Sequence, residues 1–117
     1  GLVEINGNKN NNVILAAMAP FSQNFCTMLD SREGVPAEER YKALAGTRKS
    51  GLAAFVSADG VQWQKLRDEP VITEGAFDSQ NVPMWSEHEQ CYVCYFRVFK
   101  VERLSPMDRP GADGVRR

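Results

Sequence analysis

The sequence predicts an all-β fold made of short antiparallel strands, and three observations lead to this prediction. Short apolar runs alternate with segments rich in Gly, Pro, Asn and Asp, which is typical of antiparallel sheets. Signals for a helix are confined to one segment, residues 36–46. Parts of the sequence also recur in the same order, which indicates two copies of one strand-rich unit.

The predicted strands are the apolar runs of the sequence, taken in chain order. Residues that favour turns bound each run, and the dipeptide Asp59-Gly60 between two of them is typical of a tight hairpin turn. The run at residues 61–66 is a weaker candidate than the others. The other predicted strands are residues 13–19, 25–29, 52–57, 82–86 and 92–99.

The segment at residues 36–46 admits two interpretations. Pro36 in a first turn and Gly46 after the last turn would suit a short helix. The repeat, however, aligns YKALAGT from Tyr41 with the strand-like YVCYFRV from Tyr92. Local helix propensity is a weak guide where another pattern disagrees with it. We therefore predict a strand that begins at Tyr41.

The internal repeat predicts the domain organisation. Ser-Gln-Asn begins both residues 22–29 and residues 79–86, an offset of 57 (79 minus 22), and the two Tyr strands follow at an offset of 51 (92 minus 41). A unit of about 50 residues with about four strands is typical of a β-propeller blade, and a single β-sandwich is the alternative. We expect about two blades of a longer propeller chain. Residues 1–12 would end a preceding blade, 13–66 would form one blade, and 67–117 would form most of the next.

The composition excludes several classes of partner. Lys and Arg number 14 against 15 Asp and Glu, so the net charge is -1 and the basic excess of a nucleic-acid-binding protein is missing. The sequence has no basic amphipathic helix, and its longest apolar run, residues 13–21, is too short to span a bilayer. The sequence therefore predicts neither a nucleic-acid nor a membrane partner, and it indicates no cofactor.

The three cysteines are predicted to be structural. Cys91 and Cys94 form a C-x-x-C motif, which in another context would indicate zinc or redox chemistry. Here the motif lies inside a predicted strand, where residues three apart point to opposite faces of the sheet. A zinc site needs about four ligands, and the chain has a single histidine, His88. We therefore predict no metal site.

The sequence of residues 51–85 resembles the five-bladed propeller glycoside hydrolases, the superfamily of arabinanases, invertases and levansucrases. In that superfamily the phrase S-x-D-G-x-x-W closes one blade, as at residues 57–63 here. A phrase ending in G-x-F-D then leads into the innermost strand of the next blade, as at residues 75–78. The sequence of this segment is most similar to those of bacterial proteins with an invertase-like N-terminal propeller domain.

The resemblance implies a glycoside-hydrolase-like protein that acts on or binds carbohydrate in the central funnel of the propeller. Three carboxylates from different blades share the family's chemistry, because cleavage needs one carboxyl group to protonate the leaving oxygen and another to attack or to activate water. Asp78 precedes a predicted innermost strand and resembles the family's orienting carboxylate, so it is the candidate catalytic residue. The alternative is that Asp78 caps a turn.

The first copy of the repeat offers no second catalytic carboxylate. The offset of 57 aligns Phe21 with Asp78, and it aligns Asp30 with Glu87 in an acidic hairpin turn, so Asp30 is rejected as a catalytic residue. We therefore expect this chain alone to lack hydrolase activity. The alternative function is a non-catalytic propeller that binds carbohydrate or has a structural role.

The candidate substrate-binding residues are polar side chains near the predicted innermost strands. Asn24, Gln80 and Asn81 carry amide donors and acceptors that suit sugar hydroxyls. Hydrogen bonding between blades is an equally weighted alternative for them. Arg97 alternates with apolar residues in CYFRVF and would face either the funnel or solvent. The predicted partners are a carbohydrate ligand and the remaining blades of the propeller.

Overall fold

The computed structural model describes residues 1–16, 18–22, 24–100 and 115–116, and it is all-β. The strands form a four-stranded antiparallel sheet in the order β1–β2–β3–β4, a two-stranded antiparallel sheet β5–β6, and a short ladder β7–β8. Their bounds are β1 Cys26–Leu29, β2 Tyr41–Thr47, β3 Gly51–Ser57, β4 Gln64–Lys65, β5 Val82–Ser86, β6 Cys91–Tyr95, β7 Phe99–Lys100 and β8 Val115–Arg116.

A tight turn joins β2 to β3 and sets their register. The backbone N–H of Thr47 donates to Ser50 Oγ at 2.8 Å, which closes the turn. Gly46 and Gly51 flank it with φ values of 152° and 72°, a region that side chains other than glycine rarely adopt. A Cβ at Gly46 would also collide with the Gly51 carbonyl. The two glycines therefore bring β2 and β3 together over their whole length, from Tyr41 opposite Ser57 to Thr47 opposite Gly51.

The predicted turn at Asp59-Gly60 is confirmed, and it leads from β3 towards β4. Ser57 Oγ accepts the backbone N–H of Gly60 at 2.9 Å, and Asp59 Oδ1 accepts those of Val61 and Gln62, both at 2.9 Å. Such local bonds make Asp and Ser effective turn residues. The strand that follows, Gln64–Lys65, is shorter than the predicted residues 61–66.

The two central strands of the four-stranded sheet, β2 and β3, are buried on both faces, and this is the main packing feature of the fold. Antiparallel partners share a face, so alternate residues of β2 and β3 point to opposite layers. One face carries Ala43, Ala45, Ala53 and Phe55 and is covered by Met18, Phe21, Phe25 and Trp63. The other face carries Leu44, Leu52 and Ala54 and is covered by Phe77, Ile72, Cys94 and Phe96.

The two predictions for residues 36–46 are now resolved in favour of the strand. A single 3-10 turn, Ala37–Glu39, is all that remains of the helical signal, and β2 begins at Tyr41 as the repeat predicted. β5 matches the predicted residues 82–86, and β1 lies within the predicted residues 25–29. β6 ends at Tyr95, earlier than the predicted residue 99.

The predicted strand at residues 13–19 is wrong, because none of its described residues lies in a strand. The segment runs over the alanine-rich face of the first sheet, where Met18 and Phe21 pack against it. Its apolar character therefore reflects side-chain packing and not pairing at a sheet edge. The loop predicted for residues 101–113 lies outside the described residues, and the division at residues 66 and 67 stays a prediction.

Candidate functional site

Asp78 and Arg97 form an ion pair at the surface, in the loops that flank the second sheet. Arg97 Nε donates to Asp78 Oδ1 at 2.8 Å, and Arg97 Nη2 lies 2.5 Å from Asp78 Oδ2. The guanidinium thus engages both carboxylate oxygens, which fixes the carboxylate plane. The Asp78 side chain is 49% exposed and that of Arg97 is 20% exposed. The carboxylate is therefore oriented by the protein and still open to a ligand.

The backbone beside Asp78 explains how the sequence positions this carboxylate. Phe77 is buried and has a φ of 55°, which is uncommon for a bulky residue and requires support from its surroundings. Its ring packs over Gly75, where a Cβ would collide with the rings of Phe77 and Phe96. The N–H of Ala76 donates to the carbonyl of Arg97 at 2.9 Å. One backbone bond and one ion pair therefore hold the two loops together.

Asn81 lies beneath Asp78 and supports the loop from inside. It is fully buried, and its Nδ2 donates to the carbonyl of Phe77 at 3.5 Å. Its backbone N–H donates to Cys26 Sγ at 3.2 Å. Its Oδ1 is buried and has no hydrogen-bond partner among the described residues. This arrangement fits the structural alternative for Asn81 better than contact with a ligand.

Gln80 and Asn24 are exposed, and they lie at one end of the two sheets. The bond between Asn81 and Cys26 brings the start of β5 beside the start of β1. Asn24, two residues before β1, has a left-handed φ of 52°, a conformation that asparagine tolerates. The two Ser-Gln-Asn segments are thus neighbours in space, although Gln23 itself lies outside the described residues.

A polar cleft of about 470 Å³ adjoins the ion pair. Its walls come from residues directly before Asp78 and directly after Arg97, together with the turn after β2. The Arg97 guanidinium lies 5.5 Å from the centre of the Phe99 ring, which is 47% exposed. The lining residues are Arg48, Thr73, Glu74, Gly75, Ala76, Val98 and Phe99. Charged groups and an open aromatic face therefore lie together here.

A second group of charges, which the sequence did not predict, lies between the two sheets. The Asp30 side chain is fully buried, and its Oδ2 is 2.6 Å from Lys42 Nζ. The same oxygen accepts the Tyr92 hydroxyl at 2.6 Å, and Oδ1 accepts the backbone N–H of Arg32 at 3.0 Å. Asp30 follows β1, Lys42 is in β2 and Tyr92 is in β6. The cluster therefore ties the second sheet to the first.

The protein environment of this cluster shifts the pKa values of two of its side chains, Asp30 and Tyr92. Burial alone would raise the pKa of Asp30, but hydrogen bonds from Lys42, Tyr92 and the Arg32 backbone outweigh it, so the pKa lies below its usual value. Burial, together with the hydrogen bond to Asp30, raises the pKa of Tyr92 to about 12. These shifts favour an ionised Asp30 carboxylate and a neutral Tyr92 phenol.

Aromatic contacts extend the cluster towards the surface. The Arg32 guanidinium lies 5.5 Å from the Tyr92 ring centre and 6.0 Å from that of Trp85. Trp85 and Tyr92 pack edge to face at 5.0 Å, and Trp85 Nε1 donates to Glu87 Oε1 at 3.0 Å. Asp30 itself is closed off from ligands, which agrees with its rejection as a catalytic residue. Its partners are distant in sequence, so no local pattern could have indicated the cluster.

The cysteines lie as the strand pattern predicted. Cys91 is exposed and Cys94 packs into the core between the sheets, so the two thiols of the C-x-x-C motif point away from each other. Within the described part of the chain, no group of three or more His, Cys, Asp and Glu side chains is arranged to hold a metal ion. The same residues include no helix with the length and apolar character to cross a bilayer.

Comparison with known proteins gives no match for the chain, whether with protein-family models, curated proteins or solved structures.

Proposed function

We propose that this chain is a two-blade part of a glycoside-hydrolase-like β-propeller, and that its Asp78–Arg97 site binds carbohydrate. The observation that carries the proposal is the half-exposed Asp78 carboxylate, held on both oxygens by Arg97. A carboxylate fixed in this way still has lone pairs that accept hydrogen bonds from hydroxyl groups. The polar cleft with the open Phe99 ring is lined by residues of the two segments that carry this ion pair, and aromatic faces suit the apolar faces of sugar rings.

The stacking of the sheets supports the propeller part of the proposal. A two-layer sandwich needs only one buried face per sheet, whereas the first sheet here is covered on both faces. Successive propeller blades also bury both faces of each inner sheet. The second sheet would be covered in the same way, because its outward face exposes Val82, Met84 and Tyr95 by 46%, 44% and 65%.

The pairing registers indicate that the two sheets stack in the same sense. When Tyr41 is aligned with Tyr92, Leu44 is aligned with Tyr95. Leu44 pairs with Cys26 in the first sheet, and Tyr95 pairs with Val82 in the second. Cys26 is therefore equivalent to Val82, an offset of 56 (82 minus 26). This offset is one residue smaller than the offset of 57 between the two Ser-Gln-Asn tripeptides. The face of the first sheet that meets the second thus corresponds to the outward face of the second. Head-to-tail stacking of this kind generates a ring when the rotation closes.

The geometry favours binding over hydrolysis by this chain alone. Cleavage needs two carboxyl groups roughly 5 to 9.5 Å apart across a sugar, and Asp78 is the single candidate on these two blades. The offset of 57 aligns it with Phe21 and the offset of 56 with Ser22, so the first blade has no carboxylate at the equivalent position. An enzyme would take its remaining groups from other blades. A non-catalytic carbohydrate-binding propeller is the second candidate, favoured because the first blade has no carboxylate at the position equivalent to Asp78.

Binding to arabinan-, fructan- and glucan-derived oligosaccharides tests the proposal. We expect Asp78→Asn to weaken binding at least about 10-fold, because it removes one charged acceptor from the site. Asp68→Asn, the same change at another exposed aspartate, is the matched control and should leave binding unchanged. Equal affinity of the Asp78→Asn variant and the unaltered chain would refute the site.

Hydrolysis of aryl-glycosides by the same preparations tests the inactivity of the chain. We expect no turnover by these 117 residues. Turnover that disappears in the Asp78→Asn variant would show that the chain is itself an enzyme. Turnover by a longer chain that contains these residues, abolished by the same change, would identify Asp78 as one of the family's carboxylates.

A further inference from the structure

Cys26 and Cys94 lie on facing surfaces of the two sheets. Cys26, in β1, shares a sheet face with its strand partner Leu44, and that face meets the second sheet. Cys94, in β6, packs against the core cluster of Leu44, Leu52 and Phe77. Both thiols are half-buried, so each is inside the interface and still within reach of a small solute.

Backbone contacts bring the two cysteines closer than their separate sheets suggest. Cys26 Sγ accepts the N–H of Asn81 at 3.2 Å. Asn81 precedes Val82, which pairs with Tyr95, the neighbour of Cys94. Burial raises the pKa of the Cys94 thiol, and repulsion from Cys26 adds to this effect. Pro83, two residues after Asn81, lies directly opposite Cys94 in the second hairpin, so the backbone that Cys26 contacts leads to the strand position beside Cys94.

We propose that Cys26 and Cys94 form a disulfide between the two sheets when the protein meets a small disulfide oxidant such as oxidised glutathione. One cysteine thiolate attacks the oxidant, forms a mixed disulfide and releases one glutathione thiolate. The second cysteine thiolate then attacks the mixed disulfide and releases the other. Two protein thiols lose two protons and two electrons in total, and one glutathione disulfide becomes two glutathione thiols. The step is independent of carbohydrate binding.

The C-x-x-C pair is the competing disulfide, and the strand geometry opposes it. Cys91 and Cys94 are three residues apart in one strand, so their Cβ atoms point to opposite faces of the hairpin. A disulfide needs its two Cβ atoms about 3.5 to 4.5 Å apart. Cys91 would therefore stay outside the protein disulfide and would be open to exchange with glutathione disulfide on its own.

The experiment is to oxidise the folded chain with glutathione disulfide at mildly alkaline pH, where thiolates are more abundant. Free thiols are then blocked, and the protein is digested with trypsin without reduction. We expect peptide 10–32 to be linked to peptide 68–97 through Cys26 and Cys94, with Cys91 carrying the blocking group or a glutathione, because an exposed thiol also exchanges with glutathione disulfide. A blocking group on Cys94 or Cys26, or no link within one chain, would overturn the proposal.

Two variants and a stability measurement complete the test. Cys91→Ser should keep the link between the two peptides, and Cys94→Ser should lose it. A link that survives in Cys94→Ser would assign the bond to Cys91 and refute the proposal. Because the bond closes a long loop, we expect oxidation to raise the melting temperature of the unaltered chain by roughly 5–10 °C, reversibly on reduction. An unchanged melting temperature in the linked protein would contradict a bond formed in the native geometry.

Discussion

Asp30 and Asp78 each pair with a basic side chain, but the two ion pairs lie in opposite environments. The Asp30 side chain is fully buried and has partners in both sheets, whereas the Asp78 carboxylate is half-exposed and pairs with Arg97. Buried charges depend on every partner, because removal of one leaves another without compensation. Exposed pairs contribute little to stability. The comparison therefore separates a carboxylate that holds the fold from one that is available to a ligand.

The largest expected effect is on stability, from Asp30→Asn. The change leaves the Lys42 ammonium, 14% exposed, without its main counter-charge. We expect the free energy of unfolding to fall by about 3 kcal/mol, as for other buried pairs that lose one partner. Urea unfolding followed by tryptophan fluorescence measures this. A loss no greater than that of Asp78→Asn would remove the distinction between the two sites.

The next effect is that of Tyr92→Phe, which deletes one hydroxyl from the same cluster. The hydroxyl donates to the Asp30 carboxylate at 2.6 Å, so we expect a loss of about 1.5–3 kcal/mol, the usual range for a hydrogen bond to a charged group. Tyr95→Phe is the control, because that side chain is 65% exposed. Equal losses in the two variants would show that the bond to Asp30 adds nothing.

Alkaline pH gives a further test of Tyr92. Its pKa is raised from 10.0 to about 12 in the folded protein. The stabilisation from this group is therefore complete below pH 10 and is lost as the pH rises towards 12. Phenolate absorbance should show one tyrosine titrating near pH 12 that is missing in Tyr92→Phe. If the variant and the unaltered chain lose stability in parallel above pH 10, the assignment to Tyr92 is wrong.

Acidic pH probes Asp30 in the opposite direction. Its pKa is lowered from 3.8, so its stabilisation is present above that value and is lost as the pH falls through the lower folded-state pKa. We expect the unaltered chain to lose more stability than Asp30→Asn between pH 5 and pH 2. Chemical denaturation at several pH values measures the difference, and parallel losses would contradict the shift.

The smallest effect on stability is that of Asp78→Asn. The ion pair is about half-exposed on the aspartate side, so solvent screens it and we expect a loss below about 1 kcal/mol. Its proposed effect is on carbohydrate binding instead. A loss as large as that of Asp30→Asn would mean that Asp78 is needed for folding, and binding data on the variant would then no longer report on the site.

Local patterns predicted much of the fold, because strands and turns depend on nearby residues. The apolar run at residues 82–86 and the Asp59-Gly60 turn were confirmed. The repeat placed a strand at Tyr41 against the local helical signal. The segment at residues 13–19 was mistaken for a strand, since an apolar segment that crosses a sheet face has the same composition as one that pairs at its edge.

The sites were harder to predict, because their partners are distant in sequence. Asp78 was selected from the sequence, but its partner Arg97 is 19 positions away and was assigned no definite face. Asp30 and Tyr92 are 62 positions apart, and only the packing of the sheets brings them together. Asn81 was selected for its amide group, yet Phe77 and Cys26 occupy its donors inside the protein.

The double burial of the first sheet also limits how this sequence can change over evolutionary time. In β2 and β3 both faces lie against other layers, so few positions other than that of Lys42 can accept a charged side chain, and the alanines leave little room for larger apolar ones. The second hairpin has one covered face and one open face, and alternate positions there are free to drift. Among related chains we therefore expect the first sheet to diverge more slowly than the open face of the second hairpin.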